Sequence, residues 1–189
     1  DYSAVAGVFF IGSPTSNLSI QHGSSLSSVL MFDEDADVLN DLTINMVGNS
    51  ATTYLGSSLT INGTLLLEDG NFSMAADTLT MQTASEIVVT DGQLVSSGGV
   101  FDGDNLYNVT YNGTLSSMSG LELTGLGLND LSVMMDDETL AVYLSNSVVV
   151  DGALNLDNGG MELNGSDLTL DGSLQTTSDG WFGGHANSD

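Results

Sequence analysis

Short runs in which apolar and polar residues alternate cover most of the chain. Examples are EIVVTD from Glu86 and ALNLD from Ala153, and pairs such as Asn-Gly, Asp-Gly and Gly-Gly punctuate these runs. A two-residue period between such turn signals is typical of short β-strands. The best helix candidate, DEDADVLNDL from Asp33, has no sustained stripe of apolar residues at helical spacing. The pattern therefore predicts an all-β protein.

A tripeptide of the form LTI recurs at regular intervals along the chain. Its copies start at Leu42, Leu59 and Leu79, and again at Leu131, Val148 and Leu168, so that the spacings are 17 and 20 residues both times. A solenoid returns to the same face once per coil, so this recurrence favours a parallel β-helix of roughly nine coils. An antiparallel β-sandwich is the alternative. In the β-helix we expect two inward ladders, one of Leu42, Leu59 and Leu79 and one of Ile44, Ile61 and Met81.

The chain also contains a longer internal repeat. NDLTINM starts at Asn40 and NDLSVMM starts at Asn129, and the offset of 89 residues holds without a gap over 40–80 and 129–169. NLSI at Asn17 resembles NVTY at Asn108 once a short gap is allowed. We therefore divide the chain into two β-helix repeats, 8–97 and 98–186, in one continuous solenoid. Residues 1–16 are predicted to form an apolar N-terminal strand that caps the core or is donated to a neighbour.

The charge balance limits the possible partners. The 189 residues include 25 Asp and Glu and no Lys or Arg, which gives a formal net charge of −25. Nucleic acid is not expected as a partner, since binding its backbone depends on basic side chains, and anionic membranes are disfavoured for the same reason. No apolar stretch reaches the 18 or so residues of a membrane span. A first residue other than Met suggests a processed or excised chain, and an extracellular or cell-surface location is expected.

The stretch 105–170 resembles a repeat found in large secreted surface proteins of Bacteroidetes. It reads NLYNVTYNGTLSS, then LNDLSV, then VDGALNLDNGGMELNGSDLTL, which is similar to an aromatic VxYxG strand, an LxNLTI strand and a following ladder of alternating residues. The resemblance covers the chain at least from Asn17 to Thr169. It implies a β-helix that serves as a stalk or adhesive segment. The chain differs from that family in lacking Lys, Arg and a recognisable C-terminal sorting domain.

Three acidic clusters are candidate calcium sites, because Ca²⁺ prefers six to eight oxygen ligands. None matches an EF-hand loop, and solvated acidic loops are the alternative. The candidate ligands are Asp33, Asp35, Asp37, Asp102, Asp104, Asp136 and Asp137.

Catalysis is not expected. His22 and His185 are far apart, and no G-x-S-x-G nucleophile motif is present. A hydrolase that uses two carboxylates is the one chemistry left open, because acidic residues are plentiful.

The sequence contains candidate residues both for binding sugars and for carrying attached sugars. Four tyrosines are candidates for an aromatic stripe that stacks on sugars, although stacking within the protein is the simpler interpretation: Tyr54, Tyr107, Tyr111 and Tyr143. Asn62 and Asn112 lie in N-x-[ST] sequons, and the same NG pairs are also ordinary turn residues. Thr78, in DTL, resembles a Bacteroidetes glycosylation motif.

The two ends of a solenoid present unpaired strand edges unless they are capped, and no capping helix is apparent. We predict an assembly interface that combines an apolar N-terminal run with an aromatic pair flanked by glycines near the C-terminus. Its residues are Val5, Val8, Phe9, Phe10, Ile11, Trp181 and Phe182. The alternative is that neighbouring repeats of a longer chain cover both ends.

Together these observations indicate a structural protein and not an enzyme. We expect an extracellular subunit of a self-assembling filament, surface fibre or stalk whose main partner is itself, end to end. The alternative function is an adhesin that binds glycans or a host or biofilm surface. No cofactor is expected, with Ca²⁺ as the exception.

Overall fold

The computed structural model of the chain describes residues 9–26, 28–47, 51–75, 77–104 and 106–184. Apart from one 3-10 turn at Leu121–Leu123, the regular elements in these ranges are strands, which confirms the all-β prediction. Their bounds are β1 Asn17–His22, β2 Val29–Leu30, β3 Val38–Leu39, β4 Asp41–Met46, β5 Thr52–Leu55, β6 Leu59–Ile61, β7 Thr64–Met74, β8 Thr78–Met81, β9 Glu86–Ser96, β10 Val100–Asp102, β11 Tyr107–Tyr111, β12 Ser117–Met118, β13 Leu128–Met134, β14 Ala141–Tyr143, β15 Val148–Val150, β16 Ala153–Glu162, β17 Leu168–Leu170 and β18 Ser173–Gly183.

Each coil of the chain passes over three faces. Face A consists of β1, β4, β11, β13 and the first halves of β7, β9, β16 and β18; face B consists of β2, β5, β12, β14 and the second halves of those four long strands. β3, β6, β8 and β10 form face C, and β15 and β17 form its counterpart in the second repeat. Every strand pairing in the described ranges is parallel. The predicted parallel β-helix is therefore confirmed, and the antiparallel sandwich is excluded.

The coils are longer and fewer than the sequence predicts. On face A, eight strand segments stack within the described ranges, in the order β1, β4, β7, β9, β11, β13, β16 and β18, which makes seven turns. The stacked inward residues are 20 to 24 positions apart: Leu18, Leu42, Leu65, Ile87, Val109, Leu131, Leu154 and Leu174. The prediction of roughly nine coils counted the 17-residue step as a whole turn, and it is only part of one.

For the same reason, only the face C members of the two predicted inward ladders stack on each other. Leu59 stacks on Leu79, and Ile61 stacks on Met81, both on face C. Leu42 and Ile44 lie on face A instead, where Leu42 pairs with Leu65. Faces A and C each carry an inward L-x-I pattern, so the same tripeptide recurs on two faces of a single coil.

The interior is a continuous stack of apolar side chains. Leu42, Leu65, Ile87, Leu131 and Leu154 are completely buried. Residues between them on the same strands face outward, as the burial pattern of β4 shows by alternating strictly. At about 25 cal/mol per Å² of apolar surface, this burial is the main force that holds the coils together.

The repeated Asn-Asp phrase joins one coil to the next. Asp41 Oδ1 accepts the backbone N–H of Thr64 at 2.9 Å, and Gly63 donates its N–H to the Asn40 carbonyl at 2.8 Å. A Cβ at Gly63 would lie 2.5 Å from Asp41 Oδ1 and 2.9 Å from the Asn40 carbonyl oxygen, so a larger residue would displace these contacts. In the second repeat, Asp130 Oδ1 accepts the N–H of Ala153 at 2.7 Å. The phrase that starts at Asn40 and Asn129 is therefore a structural clamp between coils.

The corners between faces A and B are made by glycines. Gly70 and Gly159 have φ values of +77° and +82°, a conformation that L side chains rarely adopt. They occupy equivalent positions in β7 and β16, where each long strand bends from one face to the other. The 89-residue repeat thus recurs in the fold as well as in the sequence.

Candidate functional site: the two ends of the coil stack

The C-terminal end of the stack is an eleven-residue strand with one side open. β18 pairs with β16 from Ser173 to Gly183, and no strand in the described ranges pairs with its other edge. Leu174 stacks on the buried Leu154 and is nevertheless 51% exposed, because no further coil of the described residues lies above it. The open edge therefore offers both unpaired backbone groups and apolar surface.

The two aromatic residues predicted to be contacts at this end differ in their surroundings. The indole of Trp181 lies flat against Gly160 and donates its Nε1–H to the Glu138 carbonyl at 2.7 Å. Phe182 pairs with Met161 and is 43% exposed. Trp181 therefore fixes β18 onto the coil beneath it, whereas Phe182 offers apolar surface to solvent. Their part in assembly stays a prediction.

At the N-terminal end, the apolar run packs only on its inner side. Phe10 bridges to Phe32 in parallel fashion, with their ring centroids 5.5 Å apart. Phe10 is still 38% exposed, and Ile11 is 79% exposed. β1 pairs with β4, and the described ranges contain no strand on its other side. Val5 and Val8, also predicted for this interface, lie outside the described residues.

The acidic clusters form turns. Asp35 donates its N–H to Asp33 Oδ1 at 3.1 Å, and Asp104 donates to Asp102 Oδ1 at 3.3 Å. The backbone N–H and hydroxyl of Thr139 donate to Asp137, and these two bonds lower the pKa of that carboxyl. Each of these aspartates thus accepts a hydrogen bond from two residues further on, which is the geometry of an Asx-turn.

In the described residues, this geometry does not bring together a set of calcium ligands. Within the described ranges, no group of three or more His, Asp or Glu side chains is placed to hold a metal ion. Asp33 and Asp37 do line a groove of about 590 Å³ near the N-terminal end, together with Phe9, Phe32 and Asp77. The predicted Ca²⁺ ligands Asp35, Asp102, Asp104, Asp136 and Asp137 are not on this groove. Calcium stays a prediction.

A buried acid that the sequence analysis missed lies in the middle of the stack. Glu122 follows Leu121 in the 3-10 turn and has no exposed surface. The Tyr111 hydroxyl and the Gly120 N–H each donate to Glu122 Oε1 at 2.6 Å, and the Tyr107 hydroxyl donates to the Glu122 backbone carbonyl at 2.8 Å. Oε2 is also buried and has no hydrogen-bond partner among the described residues.

Burial changes the ionisation of this cluster. Removal from water raises the pKa of the Glu122 carboxyl above its ordinary value of 4.5, and the hydrogen bond from Tyr111 opposes the rise. Burial, together with the nearby Glu122 carboxyl, also raises the pKa of the Tyr111 hydroxyl. The chain has no Lys or Arg to pair with this buried carboxylate, so burial favours the protonated, neutral form of the side chain.

The predicted sugar contacts fall into two groups. Tyr107 and Tyr111 are buried, so they cannot belong to an exposed aromatic stripe. Tyr54 and Tyr143 are only partly exposed, and both lie on face B.

The proposed modification sites lie on strands or turns. Asn62 is in a turn, Asn112 accepts the Thr90 hydroxyl at 2.9 Å, and Thr78 begins β8 and is partly exposed. Glycosylation at these positions stays a prediction.

Comparisons of the chain with protein-family models, with curated proteins and with solved structures each found no match. The likeness to Bacteroidetes surface repeats therefore stays a prediction that rests on the quoted sequence. In the part of the chain that the structure describes, no helix is long and apolar enough to cross a membrane.

Proposed function

We propose that this protein is an extracellular structural β-helix that extends end to end into a filament, surface fibre or stalk. The observation that carries the proposal is the open edge of β18, an eleven-residue strand that carries the exposed Leu174 and that is paired on one side only within the described residues. Exposed strand edges pair readily with further strands. A contact between two different ends of identical subunits continues indefinitely unless the rotation between them closes a ring.

The N-terminal end supports the same proposal. Its exposed apolar residues, Phe9, Phe10 and Ile11, are concentrated where the stack begins. The sequence from Tyr2 to Phe32 contains no Asp or Glu, although the chain as a whole has 25 in 189 residues. The segment from Tyr2 to Phe32 therefore brings no carboxylate of its own to a contact at this end, although Asp33, Glu34 and Asp37 line the nearby groove.

The test is whether purified protein grows into fibres in a concentration-dependent way. Negative-stain electron microscopy and sedimentation velocity are expected to show rods that lengthen as concentration rises, and addition of salt is expected to favour growth by screening. Leu174→Asp is expected to abolish growth, because it places a charge on the open end. Leu126→Asp is the matched control, since Leu126 is 81% exposed and does not lie in a terminal coil. Short rods of a single length at every concentration would contradict the proposal.

Adhesion is the second candidate function, and the groove near the N-terminal end favours it. Phe9 and Phe32 line this groove beside Asp33, Glu34 and Asp77, and aromatic rings next to carboxylates are suited to binding hydroxylated or cationic ligands. Saturable binding of a defined glycan, lost in Glu34→Gln and unaffected by Leu174→Asp, would establish this function in place of assembly.

A further inference from the structure

The contact between the two repeats inside one molecule, here called the internal joint, has the geometry that an end-to-end contact between two copies needs. β9 is the last face A strand of the first repeat, and β11 is the first face A strand of the second. They pair in parallel, with Val109 on Ile87, Thr110 beside Val88, and Tyr111 on Val89. This joint connects the end of one repeat to the start of the next.

β1 occupies in the first repeat the place that β11 occupies in the second. Leu18 pairs with Leu42, and Val109 pairs with Leu131. Leu42 and Leu131 are equivalent residues of the 89-residue repeat. The NLSI of β1 thus superimposes on the NVTY of β11, so that Leu18 corresponds to Val109 and Ser19 to Thr110.

β18 occupies the place of β9 at the other end. Leu174 pairs with Leu154, and Ile87 pairs with Leu65. Leu65 and Leu154 are again repeat equivalents. Leu174 therefore corresponds to Ile87, and Gln175 to Val88. Among the described residues, the unpaired edges of β18 and β1 are therefore equivalent to the two sides of the internal joint.

We infer that β1 of a second copy pairs in parallel with β18, in the register of the internal joint between β9 and β11. Leu18 of the incoming copy then lies on Leu174, Ser19 lies beside Gln175, and Ile20 lies on Thr176. The inference rests on the proposed end-to-end assembly and specifies its contact.

The apolar run before β1 lies at the same end of the coil stack. Phe10 packs on Phe32, with ring centroids 5.5 Å apart, and is still 38% exposed. Because the inferred pairing brings the last coil of one copy against the first coil of the next, it also covers part of this exposed apolar surface.

The charges at the joint permit this contact. β1 contains no acidic residue, and β18 contains only Asp179. The four-residue pairing from Asn17 to Ile20 therefore places no two carboxylates opposite each other.

Engineered cysteines test the register directly, because the chain has no native Cys. The test variant carries Ser19→Cys and Gln175→Cys, two outward positions that the inferred register makes adjacent. Adjacent parallel strands are about 4.8 Å apart, within the Cα separation of about 4.4–6.8 Å that a disulfide spans. Within one molecule the two positions are seven turns apart, about 34 Å, so any disulfide must join two copies.

Two further variants act as controls. Ser19→Cys with Ser173→Cys is two residues out of register, which places the Cα atoms about 8 Å apart and too far for a disulfide. Val88→Cys with Thr110→Cys joins the internal equivalents and is expected to form a disulfide within each molecule. Formation of that internal disulfide shows that the folded coil stack accepts a cross-link at this position.

After mild oxidation, the variant with Ser19→Cys and Gln175→Cys is expected to give a ladder of covalent multimers on a non-reducing gel. Its cross-linking is expected to exceed that of the variant with Ser19→Cys and Ser173→Cys by at least about tenfold. Fibres that form while both variants cross-link equally, or neither does, would overturn the register and leave the proposed assembly standing. Absence of assembly in sedimentation, together with absence of cross-linking, would overturn both.

Discussion

Replacing Glu122 with glutamine is expected to change how the stability of the protein depends on pH. Glu122 is completely buried, and its Oε1 accepts hydrogen bonds from Tyr111 and Gly120. Glutamine keeps an oxygen in that position and removes the ionisable group. The variant therefore isolates the ionisation of one carboxyl from that of the other acidic residues.

The direction follows from the raised pKa. The folded protein holds the Glu122 proton more tightly than the unfolded chain, in which the pKa is near 4.5. The neutral carboxyl thus contributes its full stability below about pH 4.5, and this contribution is lost as the pH rises toward the folded pKa. Between the two pKa values, the loss is about 1.4 kcal/mol of unfolding free energy per pH unit.

Urea denaturation from pH 4 to pH 9 measures this effect. The free energy of unfolding of the parent protein minus that of Glu122→Gln is expected to fall as the pH rises above 4.5, and to level off above the folded pKa. Glu34→Gln removes a carboxylate that lies exposed on the surface and is the control for the change in net charge. A difference for Glu122→Gln that does not change with pH would refute the assignment of a neutral, buried carboxyl.

Tyr111→Phe extends this test. The Tyr111 hydroxyl donates to Oε1 and lowers the pKa of Glu122. Its removal is expected to raise that pKa further, so the fall in stability continues to a higher pH than in the parent protein. If the window moves to lower pH instead, the hydrogen bond does not favour the carboxylate.

The remaining predictions concern the coil stack and are checked by urea denaturation. Gly152→Ala is expected to destabilise the fold by about 1–3 kcal/mol, because its Cβ would collide with Asp130 Oδ1; Gly23→Ala, where a Cβ meets no atom within 4 Å, is the control, and equal effects would contradict the clamp. Leu65→Ala is expected to cost about 2–5 kcal/mol of stability, because Leu65 is buried in the face A ladder. Leu66→Ala, on the outward side of the same strand, is expected to cost less than about 1.5 kcal/mol, and a larger loss there would reverse the assigned faces.

Alternation and turn residues were sufficient to predict the fold class, but not the face on which each strand lies. Leu42 and Leu59 begin identical LTI segments, and they lie on faces A and C of the same coil. All three faces bury one side of a short strand, so the local pattern is the same on each. The true coil length appears in the spacing of Leu42, Leu65 and Ile87, which are not marked by a common tripeptide.

The buried acid could not be predicted because its partners are distant in the sequence. Glu122 is flanked by leucines in LEL, which is a weak sign of burial. The stronger sign is YNVTY, in which alternation points Tyr107 and Tyr111 inward with Val109. Two inward hydroxyls need acceptors, but the sequence does not show that a turn eleven residues beyond Tyr111 supplies them.

The spacing of 20 to 24 residues between stacked strands also determines how the chain can fold. Each coil closes a loop of this one length onto the coil before it, so the entropy lost in closure is the same small increment at every step and does not grow with the length of the protein. We expect folding to nucleate in one part of the stack and to propagate coil by coil, as in other quasi-one-dimensional repeat proteins. A defect such as the collision at Gly152 would then interrupt propagation locally, with the coils between β1 and β11 still formed and those after β13 frayed.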